Sequence, residues 1–211
     1  MITGRRILVL APHTDDGELG AGASISKWTR TDREVFYVAL SGCDSVVPEG
    51  LPRDTLRREL ADATGVLGIA QNRVMVLEEE TRSYWKRRQA ILDTFIQLRK
   101  EIDPDVILAP SPTDVHQDHE VVSREAFRAF KGRTVLGYEM PWNNTSFEHT
   151  VFSTVEEIDV QRKIEALACY RSQGNRNYLS PEFTRAQLVF RGVQVGVSFA
   201  EVFDTRRVVL S

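Results

Sequence analysis

The chain has 211 residues, and 27 Lys and Arg stand against 30 Asp and Glu for a formal net charge of −3; 42% of it is hydrophobic and 27% charged. That balance is ordinary for a soluble globular protein and argues against a nucleic-acid binder that works by bulk positive charge. One domain spanning residues 1–211 is expected at this length. Two cysteines, Cys43 and Cys169, cannot build a dense disulfide framework. With no secretory leader and no apolar run of about 18 residues, a cytoplasmic location is expected.

Residues 7–10 (Ile-Leu-Val-Leu) predict a buried strand that stops at the turn Pro12-His13-Thr14-Asp15-Asp16-Gly17. Residues 18–30 predict a helix, with Leu19, Ala23 and Ser26 on one side and Lys27 and Arg30 near its end. A β-branched and aromatic strand at 34–40 leads through a loop at 41–50 into a helix over about 53–67, which stops at Gly68. Residues 74–77 predict a third strand, and 84–102 an amphipathic helix with Ile91, Phe95 and Leu98 at helical spacing. A fourth strand at 106–109 ends at Pro110-Ser111-Pro112; a helix at 119–130 and a fifth strand at 134–138 follow. Beyond Pro141 the signals weaken to a strand at 151–155, a helix at 160–173 and strand-like residues at 200–210. Strand and helix in alternation, with continuously apolar strands, predict an α/β fold: a three-layer, Rossmann-like, mostly parallel sheet of five or six strands, helices on both faces, and a C-terminal elaboration.

The chain has only four histidines, and His13, His116 and His119 stand beside aspartates in two polar segments, residues 11–18 and 111–119. Each segment directly follows a predicted strand and leads into a helix. Open α/β sheets form their sites beyond the carboxyl ends of the strands, so both segments lie on one edge. Whether they meet depends on strand order. If they do, two imidazoles and a carboxylate make a three-ligand site for a divalent metal with a fourth position for water, whose pKa falls to about 7 there. A spare aspartate then serves as general base, a spare histidine as acid or oxyanion donor, and Asp118 suits a partner that fixes an imidazole tautomer. Either segment alone has a plainer reading, Asp15-Asp16 as a helix cap and His-x-x-His as a solvated helix face. Their conjunction is what points to a metal.

The segment from Ala11 through His13-Thr14-Asp15-Asp16-Gly17-Glu18 to Gly22 resembles the His-Pro-Asp-Asp-Glu signature of the PIG-L (LmbE-like) deacetylase family, and His116-Gln117-Asp118-His119 resembles its His-x-Asp-His signature. Residues 56–69 and 163–173 are similar to further stretches of the family. The resemblance implies a zinc-dependent hydrolase that removes acetyl groups from N-acetylglucosamine-type sugars. Carried over by position, it implies that His13, Asp16 and His119 bind the metal and that Asp15 is the general base. It also implies that His116 stabilises the oxyanion or protonates the leaving amine, with Asp118 tuning its charge. Two positions depart from the signature, Thr14 for its proline and Gly17 for its first glutamate, and the second bears on sugar specificity.

Outside these segments, Arg53 offers a fork for a sugar hydroxyl, phosphate or carboxylate, while Trp142 and Asn143 offer a ring and an amide for a sugar. Gly20-Ala21-Gly22 lacks the third glycine of a dinucleotide loop and instead lets a helix pack closely on the sheet. Cys43 reads as a buried, inert thiol. The expectation is therefore a metal-dependent N-deacetylase in which Asp15 activates a metal-bound water. Zn2+ is the expected ion, with Fe2+ or Mn2+ able to replace it. The expected partner is a small amino sugar or glycoconjugate, with no nucleic acid and no membrane span; a homo-oligomer is compatible. The competing readings are an amidase acting on a non-sugar or natural-product amide, and a binding protein without catalysis.

Overall fold

The computed structural model describes residues 4–209. Residues 1–3 and 210–211, including Leu210 of the last predicted strand, lie outside the described residues. In chain order the elements are β1 (Arg6–Ala11), α1 (Asp16–Arg30), β2 (Glu34–Ala39), α2 (Thr55–Val66), β3 (Val74–Val76), α3 (Arg88–Ile102), β4 (Val106–Pro110) and α4 (Gln117–Ala129). They continue with β5 (Thr134–Tyr138), β6 (Val151–Thr154), α5 (Glu157–Leu167), α6 (Pro181–Gln194) and β7 (Ala200–Arg207).

A parallel strand covered on both faces must be apolar where it is covered, and β1 is from Ile7 to Ala11. Its Ile7, Val9 and Ala11 enter one core with Ile25 of α1, Leu60 of α2 and Leu167 of α5. Leu8 and Leu10 face the opposite way, against Phe95 of α3 and Val122 of α4. The two cores are the spaces between three layers. Two residues of α1 show how closely that helix lies on its neighbours: a Cβ at Gly17 would stand 2.5 Å from the Tyr37 ring, and one at Gly22 would stand 2.9 Å from the Lys163 stem. Gly17 thus faces the core, against Tyr37.

The seven strands run in the order β3-β2-β1-β4-β5-β7-β6. The first five are parallel, and β7 pairs antiparallel with both β5 and β6. The C-terminal segment is therefore woven into the sheet: β7 separates β5 from β6, and α6 packs on α5 and β7. The predicted five or six parallel strands become five, with an antiparallel pair added. The predicted helix over 160–173 starts earlier and stops earlier, because a reciprocal capping box between Glu156 and Asp159 begins α5 and a 3-10 turn replaces its end. Helix α6 was missed, although Ser180 caps it by accepting from the Phe183 amide and Pro181 starts it.

β1 pairs directly with β4, Ile7 opposite Val106 and Val9 opposite Leu108. To one side of β1 the sheet continues through β2 and to one side of β4 through β5, so the order reverses between β1 and β4. Open sheets of this kind bind ligands at that switch point. Both histidine segments leave the sheet there.

Candidate active site

The first segment turns from β1 into α1. Asp15 takes the N-cap position of α1, yet its side chain does not cap the helix. Asp16 instead folds back, and its Oδ2 accepts from the His13 amide at 2.8 Å. The second segment turns from β4 into α4, where His116 is the N-cap and its Nδ1 accepts from the Asp118 amide at 3.2 Å.

Three donor atoms from the two segments converge. His13 Nδ1 lies 3.1 Å from Asp16 Oδ2, His119 Nε2 lies 3.2 Å from the same oxygen, and the two ring nitrogens are 3.3 Å apart. Donors around a tetrahedral zinc at its usual bond lengths stand about 3.3 to 3.4 Å from one another, so this triangle fits a divalent ion with little movement. The far side of each imidazole is fixed as a metal ligand requires. His119 Nδ1 pairs with Asp114 Oδ2 at 2.7 Å and His13 Nε2 with Asp118 Oδ2 at 3.1 Å, which turns the remaining lone pairs toward the triangle. The ring nitrogens of His13, His116 and His119 form a second, looser trio within 4.8 Å. Its His116 is the odd member, since one ring nitrogen is spent on the Asp118 amide and no carboxylate orients the ring.

The electrostatics divide the neighbours by role. Burial opposes charge on His13 and His119, but Asp16 with Asp118 or Asp114 outweighs it and raises the two imidazoles to about 9 and about 10. Asp16 is buried, yet His119 and His13 hold its carboxyl well below the usual range. Asp15 differs from its neighbour. Burial, reinforced by Asp16, raises it to about 6, against the pull of His13 and Arg176. His116 is lowered by burial and by the other two histidines, so it is a neutral ring that accepts at Nδ1 and carries its proton at Nε2. The Asp118 carboxylate bonds His13 and accepts from the Arg82 amide at 2.6 Å, and its charge also acts on His116, against the lowering.

His13, Asp15, Asp16, His116 and His119 line a cleft of about 340 Å³, within the range of small-molecule sites. Trp142 and Asn143 line it as well, and Trp142 lies flat on Tyr178, with centroids 4.3 Å apart and an interplanar angle of 14°. Arg53 is exposed and does not line the cleft. Cys43 does line it, and burial pushes its thiol up to about 12, in keeping with an inert group. Sequence reasoning missed Asp114, Arg82, Arg176 and Tyr178. Only Asp114 carried a signal, its place five residues before His119.

The family model of the GlcNAc-PI de-N-acetylases, PIG-L, matches residues 8–130, more than half of the chain and both histidine segments. The chain belongs to the PIG-L family. Among its relatives, an uncharacterized deacetylase of Escherichia coli, YaiS, is 27% identical over 175 residues, which cover 79% of this chain and 90% of that protein. Among solved structures, the N,N'-diacetylchitobiose deacetylase of Pyrococcus horikoshii superposes with a TM-score of 0.79 at 21% identity, over 96% of this chain and 84% of its own. The 4-carboxy-2-hydroxymuconate hydratase GalB from Pseudomonas putida superposes at 0.80 with 17% identity, over 98% of each chain. The fold alone therefore does not choose between amide hydrolysis and hydration; membership of PIG-L places the chain in a deacetylase family. Among the described residues no helix is long and apolar enough to cross a membrane.

Proposed function

We propose that this PIG-L protein is a metal-dependent N-deacetylase that hydrolyses the acetamide of an N-acetylglucosamine-type substrate to acetate and the free amine. The observation that carries it is the contrast between two adjacent carboxyls: Asp16 turned into the His13–His119 triangle and ionised, Asp15 outside that triangle, not capping the helix, and raised to about 6. A divalent ion held by His13, Asp16 and His119, with zinc the best match to two imidazoles and a carboxylate, would supply the Lewis acidity that makes water nucleophilic at neutral pH.

The residues of the chain do the rest. A base is most effective when its pKa lies near the working pH, and the carboxylate of Asp15 is placed to take the proton of the attacking water. Addition of that water to the carbonyl carbon leaves negative charge on the carbonyl oxygen. His116, neutral and carrying its proton on Nε2, can donate a hydrogen bond to that oxygen without moving a full charge. The proton held by Asp15 then passes to the nitrogen as the C–N bond breaks. The Trp142–Tyr178 pair offers a flat apolar platform at the mouth of the cleft, and Asn143 offers an amide, both suited to a sugar ring.

Asp15→Asn tests the base directly. The substitution keeps the volume and leaves the triangle intact, and turnover should fall by about 10²- to 10⁴-fold while metal content stays as in the parent and the melting temperature falls no lower. Acetate release at a near-normal rate would sink Asp15 as the base.

A further inference from the structure

The cleft is bordered by two guanidinium groups that the hydrolysis above does not use. Arg82 and Arg176 both line it, both are exposed, and neither meets a carboxylate among the described residues. Nearby acidic side chains are already committed elsewhere: Asp44 and Glu78 both clasp Arg57, and Glu79 holds Arg87. Glu80 reaches no arginine; its side chain stands 3.5 Å from the Ser83 hydroxyl.

The two arginines come from different parts of the chain. Arg176 follows α5, its guanidinium on the Tyr178 hydroxyl and 5.7 Å from the centre of that ring, at the edge of the aromatic platform. Its charge is close enough to act on Asp15. Arg82 sits in the connection from β3 to α3 with φ +65°, a left-handed backbone that suits glycine and costs an arginine about 1 kcal/mol or more. The turn itself needs only the backbone there, because the residue 82 amide serves Asp118 and its carbonyl accepts from Gln117 Nε2 at 3.1 Å. A glycine would make both bonds without strain. What arginine adds is a cation on the rim.

We infer that Arg82 and Arg176 form an anion subsite, so that the preferred substrate is an N-acetylated amine bearing a phosphate or carboxylate at a distance from its acetamide. The inference rests on the deacetylase reading. Guanidinium forks are matched to such oxyanions and bind them bidentately, whereas they gain little from a neutral sugar hydroxyl. Asp15 lies within reach of the Arg176 charge without forming an ion pair with it. Of the cleft's acidic lining residues Asp15 and Asp16, the second is bound within the histidine triangle.

The test compares acetate release from N-acetylglucosamine, its 6-phosphate, and a carboxylate-bearing ether of the same sugar, with the parent, Arg82→Gly and Arg176→Gln. For the parent, kcat/KM for an anionic substrate should exceed that for the neutral sugar about tenfold or more, and the excess should shrink as salt is added. Each substitution should bring that ratio toward one, and Arg82→Gly should melt no lower than the parent because it relieves the left-handed backbone. The phosphate and carboxylate arms show which anion the subsite fits. A parent ratio near one, or a ratio that both substitutions leave unchanged, overturns the subsite while acetate release upholds the deacetylase. If no substrate releases acetate, the deacetylase reading fails instead. Calorimetric binding of glucosamine 6-phosphate against glucosamine then decides the subsite, tighter binding of the phosphate supporting it and equal binding overturning it.

Discussion

Glu18 lies one turn into α1 and is fully buried. Its two carboxyl oxygens meet the phenols of Tyr37 and Tyr170, and both phenols also touch the Thr14 carbonyl, so this group braces the turn that carries His13 and Asp16. Burial raises its pKa from 4.5 to about 8, and the tyrosine hydrogen bonds pull the other way without cancelling that. Between those pH values the folded chain keeps a proton that the unfolded chain has released, so stability falls as pH rises through that window. At about 1.4 kcal/mol per pH unit the gap between 4.5 and about 8 amounts to about 5 kcal/mol, as much as the whole stability of a marginal domain. Glu18→Gln keeps the volume and removes the titration. Urea unfolding of both proteins at intervals across the window should show the parent losing up to that amount relative to the variant, since titrations common to both cancel in the difference. Parallel stability curves would mean that Glu18 is ionised in the fold, and the reasoning from its burial would fail.

Further outcomes follow from the same contacts. Asp114 accepts from two donors, the His119 ring at 2.7 Å and the His116 amide at 2.8 Å, and an asparagine can accept only one of them; Asp114→Asn should lower metal affinity about 10- to 100-fold, and an unchanged affinity in a chelator competition would refute its orienting role. Protons compete with a metal for His13 and His119, whose pKa values stand at about 9 and about 10, so metal affinity should weaken steadily as pH falls below about 9 and each ion bound should release protons; an affinity independent of pH, read by the same competition, would contradict the ligand set. Away from the cleft, the buried Lys163 ammonium contacts Glu201 at 2.7 Å and the Leu19 carbonyl at 2.7 Å. Lys163→Met strands that carboxylate and should cost about 3 to 5 kcal/mol in chemical denaturation; a loss under about 1 kcal/mol would show that the amides of Ala23 and Ser24 satisfy Glu201 unaided.

The regular alternation of β1 to β5 with their helices was legible because β1, β4 and β5 are buried on both faces and the half-buried β2 and β3 are rich in β-branched and aromatic residues, so each reads as a mainly apolar run. The two histidine segments were legible because rare residue types cluster in them. Their meeting was not, since strand order arises from packing between helices and not from any local pattern; the pairing of β1 with β4 is what joins them. Asp114 looked like one more polar residue in a Pro- and Asp-rich turn until its two hydrogen bonds gave it a place. Arg82, Arg176 and Tyr178 lie in connections without periodicity, where only the fold says which side chains face the cleft. Helix α6 escaped notice because its exposed Phe190 and Val193 blur the contrast between its faces.

The adjacency of β1 and β4 also orders events in the life of the chain. During synthesis His13 and Asp16 leave the ribosome long before His119, and no partial product that ends before α4 can complete the triangle. Closing it requires everything between the two strands, β2, α2, β3 and α3, to be folded out of the way first, a contact distant in sequence and correspondingly slow to form. A metal ion can therefore reward only a finished sheet centre. An ion held by the triangle would bind the native chain and not its fragments, a late lock on folding rather than a seed for it.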